Sequence, residues 1–385
     1  MKFYQTTPNL SQRLEAKTPL TFSESGTGSQ TITIDDSKTF QTIDGFGASF
    51  TDSSAWLVYT KLTSTQRADV MQKLFSRDNG IALSFIRQPM GASDLALNFY
   101  TYDDMPAGQS DPTLANFSIE HDKAYIIPVL KEALALNPNI KIMANPWSPP
   151  AWMKTNNSLL GSPGGSNGYL KADAYQPLAN YFVKYIQAYQ AEGIQTDYVS
   201  MQNEPLYAPP GYTGMLMDTG HQINLLNNYL IPAFNAAGIK TKVLLYDHNW
   251  DRADYPTTQL ADATTRANVA GVAWHHYAGN PSAMSTVHDL HPELGAWETE
   301  ASGGTWQNGN ILMQEGQELV NTMRNWGKSY VLWNMALDQD HGPVAMTSDN
   351  QHGCATCRGI VTVNWDKTGN NGASTVAEEV DYYVL

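Results

Sequence analysis

From about residue 40 onward, short apolar runs alternate with longer amphipathic segments. The runs are QTIDGFGAS (41–49), IALSFIRQ (81–88), NIKIMANP (139–146), TDYVSMQN (196–203), TKVLLYD (241–247), VAGVAWHHY (269–277), ELGAWETE (293–300) and KSYVLWNMAL (328–337). Most are apolar throughout rather than alternating, the pattern of parallel strands buried on both faces. Between them lie helix-like segments such as STQRADVMQKLFS, IEHDKAYIIPVLKEALAL and ILMQEGQELVNTMRNW. Gly193 and Gly238 fall where a helix ends on a left-handed residue. Eight strands alternating with helices predict a (β/α)8 TIM barrel of the α/β class, occupying residues 36–365.

The flanks read differently. Residues 1–35 (KFYQTTPNL, PLTF, QTITIDDS) predict short strands outside the barrel, the N-terminal part of a side β-domain. Residues 366–385 predict a turn and one further strand. SLLGSPGGSNG (158–168) is the only low-complexity tract.

Two of the strand-like runs end on acids. TDYVSMQNEP closes on Asn203-Glu204-Pro205 and LGAWETEASGG on Glu300. A barrel keeps its chemistry at the C-terminal ends of its strands, so both carboxylates face one mouth. Glycosidic cleavage needs such a pair, one acid holding a proton for the leaving oxygen and one ionised to attack or to activate water. Asn203 adds an amide able to hold a sugar hydroxyl. Glu298 stands two residues before Glu300, and a strand's period of 2 points it to the same face, one layer deeper, where it could pair with Arg87. Spacing alone leaves it a rival nucleophile. Solvated strand-end acids are the plain alternative for all three.

Trp147, Trp297 and Trp333 fall at predicted strand ends, where flat rings suit sugar stacking. Trp56, Trp274 and Trp326 read as core. His275 and His276 end the sixth strand facing opposite ways, so they do not share a metal. Cys354-x-x-Cys357, with His352 and His341 nearby, supplies one half of a usual zinc pattern and reads better as a local disulfide. Gly164-Gly165-Ser166-Asn167-Gly168 matches G-x-S-x-G but lacks the preceding strand that a nucleophile elbow requires. Asp103, Asp104 and Asp111 form an acidic loop without EF-hand spacing.

Composition narrows the class further. With 385 residues, 42% hydrophobic, the chain can bury a barrel-sized core. A net charge of −14 opposes binding to nucleic acid or anionic membrane. No apolar run reaches the length of a transmembrane helix. Low charge with many Tyr, Trp, Asn, Thr and Gly suggests a secreted carbohydrate-active protein, although MKFYQTTPNLSQRLE has no signal-peptide core.

Together these segments resemble glycoside hydrolase family 30, the glucosylceramidase-like enzymes of clan A. The resemblance is carried by QTIDGFGASFTDSSA, FIRQPMGASDLALNFYTYDD, IMANPWSPPAWMKTN, SMQNEP, AWHHYAG, WETEASGG and VLWNMALDQDHGP, in the family's order over about residues 41–343. It implies a retaining β-glycosidase with Glu204 as acid/base and Glu300 as nucleophile. It implies that Asp94, Trp147, Asn203 and Trp333 line the first sugar subsite. Arg87, His275 and Tyr277 would surround the nucleophile and keep it ionised, while Glu204 would have a raised pKa. The expected substrate carries a β-glucosyl unit, as in glucosylceramide-like glycolipids or β-1,6-glucan. β-Xylosidase, β-fucosidase and xylanase specificities are the alternatives within the family. A non-catalytic carbohydrate-binding barrel and a serine hydrolase using Ser166 are the alternatives outside it. No cofactor or metal is implied. The family's β-sandwich would be only partial, since the chain reaches DYYVL where its C-terminal segment should begin.

Overall fold

Eight parallel strands close into a barrel in the computed structural model, which describes residues 1–22, 24, 26, 28, 30–368 and 374–385. They are β1 (Gly45–Ser49), β2 (Phe85–Pro89), β3 (Lys141–Asn145), β4 (Tyr198–Ser200), β5 (Lys242–Asn249), β6 (Gly271–His275), β7 (Gly295–Ala301) and β8 (Gly327–Leu332). Neighbours follow chain order, and β8 closes on β1 with Ser329 opposite Gly45. Each strand coincides with one of the eight apolar runs, those at Phe85–Pro89, Lys242–Asn249 and Gly295–Ala301 extending one or two residues past it and Gly327–Leu332 starting one residue before it. At Gly47 a Cβ would sit 1.7 Å from the Phe85 carbonyl oxygen, so only glycine lets β1 and β2 meet there.

The helices follow their sequence signals. Ser64–Phe75 starts at a capping box, Thr63 bonding the Gln66 N–H while Gln66 bonds back. Gly193 and Gly238 follow their helices at φ 81° and 68°. Proline explains two departures from continuous helix, because it withholds the N–H that the carbonyl four residues back would accept. Pro128 faces Ala124, and the predicted helix there divides into Glu120–Lys123 and Ile126–Leu136. Pro232 faces Asn228, and the chain widens into a π-turn at Leu226–Leu230.

Inside the barrel, period-2 alternation stacks two layers of opposite character. The lower is apolar: Phe85, Met143, Tyr198, Leu244, Ala273, Trp297 and Val331. Two residues further along their strands stand Arg87, Asn145, Ser200, His275 and Thr299, all buried and polar. The core of the molecule therefore ends where its chemistry begins. Two bulges break the alternation at that level. β5 gains a residue against β6 between Tyr246 and His248, with Tyr246 and Asp247 at positive φ. β7 gains one between Glu298 and Glu300.

The flanks differ from expectation. The last predicted strand stops at Leu332, and Ala336–Asp338 leaves the barrel for a three-stranded sheet with Val361–Asn364 and Thr375–Glu378. A short helix, Val380–Val384, follows. The turn expected at 369–373 lies outside the described residues. At the other end, among the described residues Phe3–Gln5 pairs only with Glu15–Lys17. QTITIDDS forms no strand, and Ile32 and Ile34 are each 89% exposed. Its alternating pattern can bury a face only against a partner sheet, and among the described residues it pairs with none.

Candidate active site

Arg87, midway along β2, is fully buried, and charges and acceptors gather around it. Its Nη1 donates to Glu300 Oε2 at 2.5 Å, and its Nη2 to Asn203 Oδ1 at 2.7 Å and Asp247 Oδ2 at 3.0 Å. A buried guanidinium must be matched by anions, and Asp247 and Glu300 match it. Asp247 is itself a hub. Its Oδ2 also accepts from Asn145 Nδ2 (2.9 Å) and Ser200 Oγ (2.6 Å), and its Oδ1 from His275 Nε2 (3.0 Å) and Thr299 Oγ1 (2.7 Å). Although burial opposes its charge, Arg87 and the bonds from His275 and Ser200 hold its carboxyl well below the usual range.

The two acids arrive by different backbone devices. Glu204 lies past β4 in a turn, at φ 43°, with its N–H donating to the Asp247 carbonyl at 3.0 Å. A left-handed glutamate is strained and is held there by its surroundings. Glu300 reaches the same space through the β7 bulge. Single side-chain atoms of Glu204, His275 and Glu300 all lie within 4.8 Å of one another. Tyr277 Oη donates to Glu300 Oε1 at 2.8 Å.

His275 faces carboxylates from both ring nitrogens: Nε2 lies 3.0 Å from Asp247 Oδ1, and Nδ1 lies 3.2 Å from Glu204 Oε1. Two carboxylate acceptors favour protons on both ring nitrogens, although Arg87 Nη2 also lies 3.3 Å from Nε2. Burial alone would lower its pKa, but Glu300, Asp247 and Glu204 raise it to about 9. It stands 3.9 Å from Glu300 Oε2 and so bonds Glu204 and Asp247, not the expected nucleophile. With both nitrogens engaged it has no lone pair for a metal, although Glu204, His275 and Glu300 are close enough to surround one.

That arrangement corrects the pKa expected for Glu204. Burial favours its neutral form, but the His275 bond and the charges of His248, His275 and Arg87 outweigh burial and lower it. Both directions favour an ionised Glu204 beside a protonated His275 in the free site. His248, with Nε2 3.7 Å from Glu204 Oε1, is a further neighbour that sequence reasoning missed.

Asp94 lies in the loop after β2. Trp333 Nε1 donates to its Oδ1 at 3.1 Å and the Cys354 N–H to its Oδ2 at 3.3 Å. Burial, then the charges of Glu300 and Glu204, raise its pKa to about 7 despite those bonds. Trp147 and Trp333 stack on each other, centroids 4.7 Å apart, and each is almost wholly buried. They form a packed wall beside Arg87 rather than open platforms.

Other expectations change. Trp297 is not at the mouth: it fills the lower apolar layer, with Nε1 bonded to Asp44 Oδ2 at 2.7 Å. Glu298 does not share a face with Glu300 and does not touch Arg87. Inward positions are Trp297 and Thr299, so Glu298 points outward and only the bulge brings Glu300 in. Both Glu298 oxygens are buried, and among the described residues no hydrogen bond of ordinary geometry reaches them, although the Trp250 indole N–H is near enough to favour the charged form. Desolvation and the charges of Glu318 and Glu300 push its pKa well above the carboxylate range, which disfavours the ionised form that attack would need. Cys354 and Cys357 form a disulfide, which removes the thiolates a zinc site would need. Ser166 is exposed after a short turn, with no strand before it. Asp104 and Asp111 bond backbone and side-chain groups of their own loop.

Asp247, Asn145, Ser200 and Thr299 were missed as site residues, as was Tyr212, which packs beside the Trp147–Trp333 wall. For Asp247 a signal existed: TKVLLYD also ends an apolar run on an acid, the criterion that picked out Glu204 and Glu300.

Comparison with known proteins agrees with this geometry. Residues 43–352 match the glycosyl hydrolase family 30 TIM-barrel domain. The endo-1,6-β-D-glucanase neg1 of Aspergillus fumigatus is 34% identical over 371 residues, 92% of this chain and 71% of that protein. The lysosomal acid glucosylceramidase of Mus musculus is 30% identical over 335 residues, 81% of this chain and 63% of that protein. The solved endo-β-1,6-glucanase BT3312 superposes with a TM-score of 0.87 at 34% identity, covering all of this chain and 82% of that one. The chain belongs to glycosyl hydrolase family 30 and is a retaining β-glycosidase.

Proposed function

We propose that the chain is an endo-acting β-1,6-glucanase in which Glu300 is the nucleophile and Glu204 the acid/base. The observation that carries the roles is that one carboxylate oxygen of each acid lies within 4.8 Å of the other, with Glu300 held by Arg87 and Tyr277. Direct attack needs carboxyl groups about 5–5.5 Å apart, whereas inversion through water needs about 6.5–9.5 Å.

Glu300 attacks the anomeric carbon, and the bond to the departing oxygen breaks. That oxygen takes the proton held by the His275–Glu204 pair, delivered from Glu204. Forming the ester consumes the Glu300 charge that helps keep His275 protonated, so the pair releases its proton as attack proceeds. Water then enters, Glu204 removes its proton, and cleavage of the ester frees the sugar with β configuration. Asn203, fixed by Arg87, offers its amide N–H to the 2-hydroxyl. Asp94 accepts from two further hydroxyls, and the Trp147–Trp333 wall excludes water.

Support for the 1,6-linked substrate comes from the relatives: three endo-1,6-β-glucanases at 33–35% identity span 92–94% of this chain, more than the glucosylceramidases span. The disulfide and composition fit an extracellular site of action. Product analysis on β-1,6-glucan, glucosylceramide and glucuronoxylan tests the substrate. Oligosaccharides of mixed length from β-1,6-glucan are expected; turnover of glucosylceramide alone would move the assignment to the glycolipid. NMR of the first-formed reducing end should show the β-anomer.

A further inference from the structure

We propose that the Cys354–Cys357 disulfide positions the sugar-binding carboxylate, fixing Asp94 for the substrate's hydroxyls. The inference rests on the reading of Asp94 as a sugar ligand. Asp94 is held from two elements: Trp333, just past β8, bonds one oxygen, and the Cys354 backbone N–H bonds the other. The second donor belongs to a stretch, residues 339–360, that has no helix or strand of its own. Two isolated bridges, Met346 with His352 and Gly304 with Cys357, are its only pairings among the described residues. Such a stretch has no ladder to hold an N–H on target, and fixing it costs conformational entropy.

The disulfide supplies the constraint where the donor sits. Cys357 is buried in one cluster with Leu95, Leu337 and the Trp147–Trp333 wall, and Cys354 packs on the same cluster. His341 Nδ1 meets the Cys357 carbonyl oxygen at 2.9 Å. Between the ring and Asp94 there is no slack: a Cβ on Gly353 would sit 2.2 Å from the Asp94 Cβ. Opening the ring frees the Cys354 N–H to drift, and Asp94 loses one of two bonds that orient it. Substrate binding then weakens more than chemistry does.

The test compares Cys354→Ser/Cys357→Ser with the parent, in both the native and the Asp94→Asn background, using an aryl β-glucoside and β-1,6-glucan. In the native background KM should rise about tenfold, the scale of one charge-assisted bond, with kcat held within about twofold. In the Asp94→Asn background opening the ring should change KM by less than about twofold, because the bond it protects is already lost. Equal KM increases in both backgrounds, or none in either, would overturn the proposal. An Asp94→Asn variant with native KM would overturn the reading of Asp94 itself, a distinguishable result. If the serine variant fails to fold, reduction of the folded enzyme with a phosphine, followed by thiol titration, gives the same comparison.

Discussion

Asp247→Asn keeps the shape of the hub and removes its charge. Five donors converge on this carboxylate, three on Oδ2 and two on Oδ1. An amide keeps one acceptor oxygen and turns a donor toward the other group. The less costly orientation places its nitrogen toward Thr299 and His275, since Thr299 also bonds the Trp274 carbonyl and His275 can shed a proton. Arg87 keeps Glu300 as a counter-ion, so the loss should fall at the low end for a broken buried pair, about 3 kcal/mol in urea denaturation. The second effect is on titration. His275 holds its proton below about 9 because carboxylates surround it, and the site loses that proton as pH rises through this value. Removing one of those charges lowers the pKa. The alkaline limb of kcat/KM on an unactivated β-1,6-gluco-oligosaccharide should therefore move down by about one pH unit or more. An aryl glucoside with a good leaving group should show less of it. An unchanged limb together with unchanged urea stability would refute Asp247 as the anchor of His275 and Arg87.

Three further outcomes follow. Asp94 ionises near 7, so kcat/KM should climb as pH rises through that value, and the limb should be absent in Asp94→Asn. Lys154 is fully buried with Nζ donating to the carbonyls of Leu159, Leu160 and Gly214, so Lys154→Met should cost about 3 kcal/mol in urea denaturation by orphaning them. Glu298→Gln should retain most activity, whereas Glu300→Gln should lose several orders of magnitude in kcat; the reverse ranking would mean the wrong acid was chosen.

How much of this was legible in the sequence depends on where period-2 alternation holds. It holds through the lower barrel, so each of the eight strands overlaps its apolar run, and Phe85 and Arg87 land on one interior face as their spacing requires. It fails at the bulges. Nothing in LGAWETEAS marks Thr299 as an extra residue, so Glu298 was placed inward when it points outward. The β5 bulge brings Asp247 inside, and a strict alternation would have turned it toward the helices. Trp297 was misplaced because a predicted boundary does not say which end of a strand a residue occupies. Glu204's lowered pKa could not be read either, since it arises from His275 and His248, 71 and 44 positions later by number and adjacent only in the folded barrel. The family motifs pointed to Glu204, Glu300, Asp94 and Arg87, and the fold gathers all four at the C-terminal side of the barrel.

Trapping the covalent intermediate tests the central claim most directly. In a 2-deoxy-2-fluoro-β-glucosyl fluoride the 2-fluoro group slows both formation and breakdown of the ester, and the activated fluoride leaving group restores the rate of formation alone, so the labelled enzyme should accumulate. Intact-protein mass spectrometry should show one added fluoroglucosyl group, and peptide mapping should place it on Glu300. A label on Glu298, or stoichiometric hydrolysis of the reagent to the α-anomer with no label, would contradict the account.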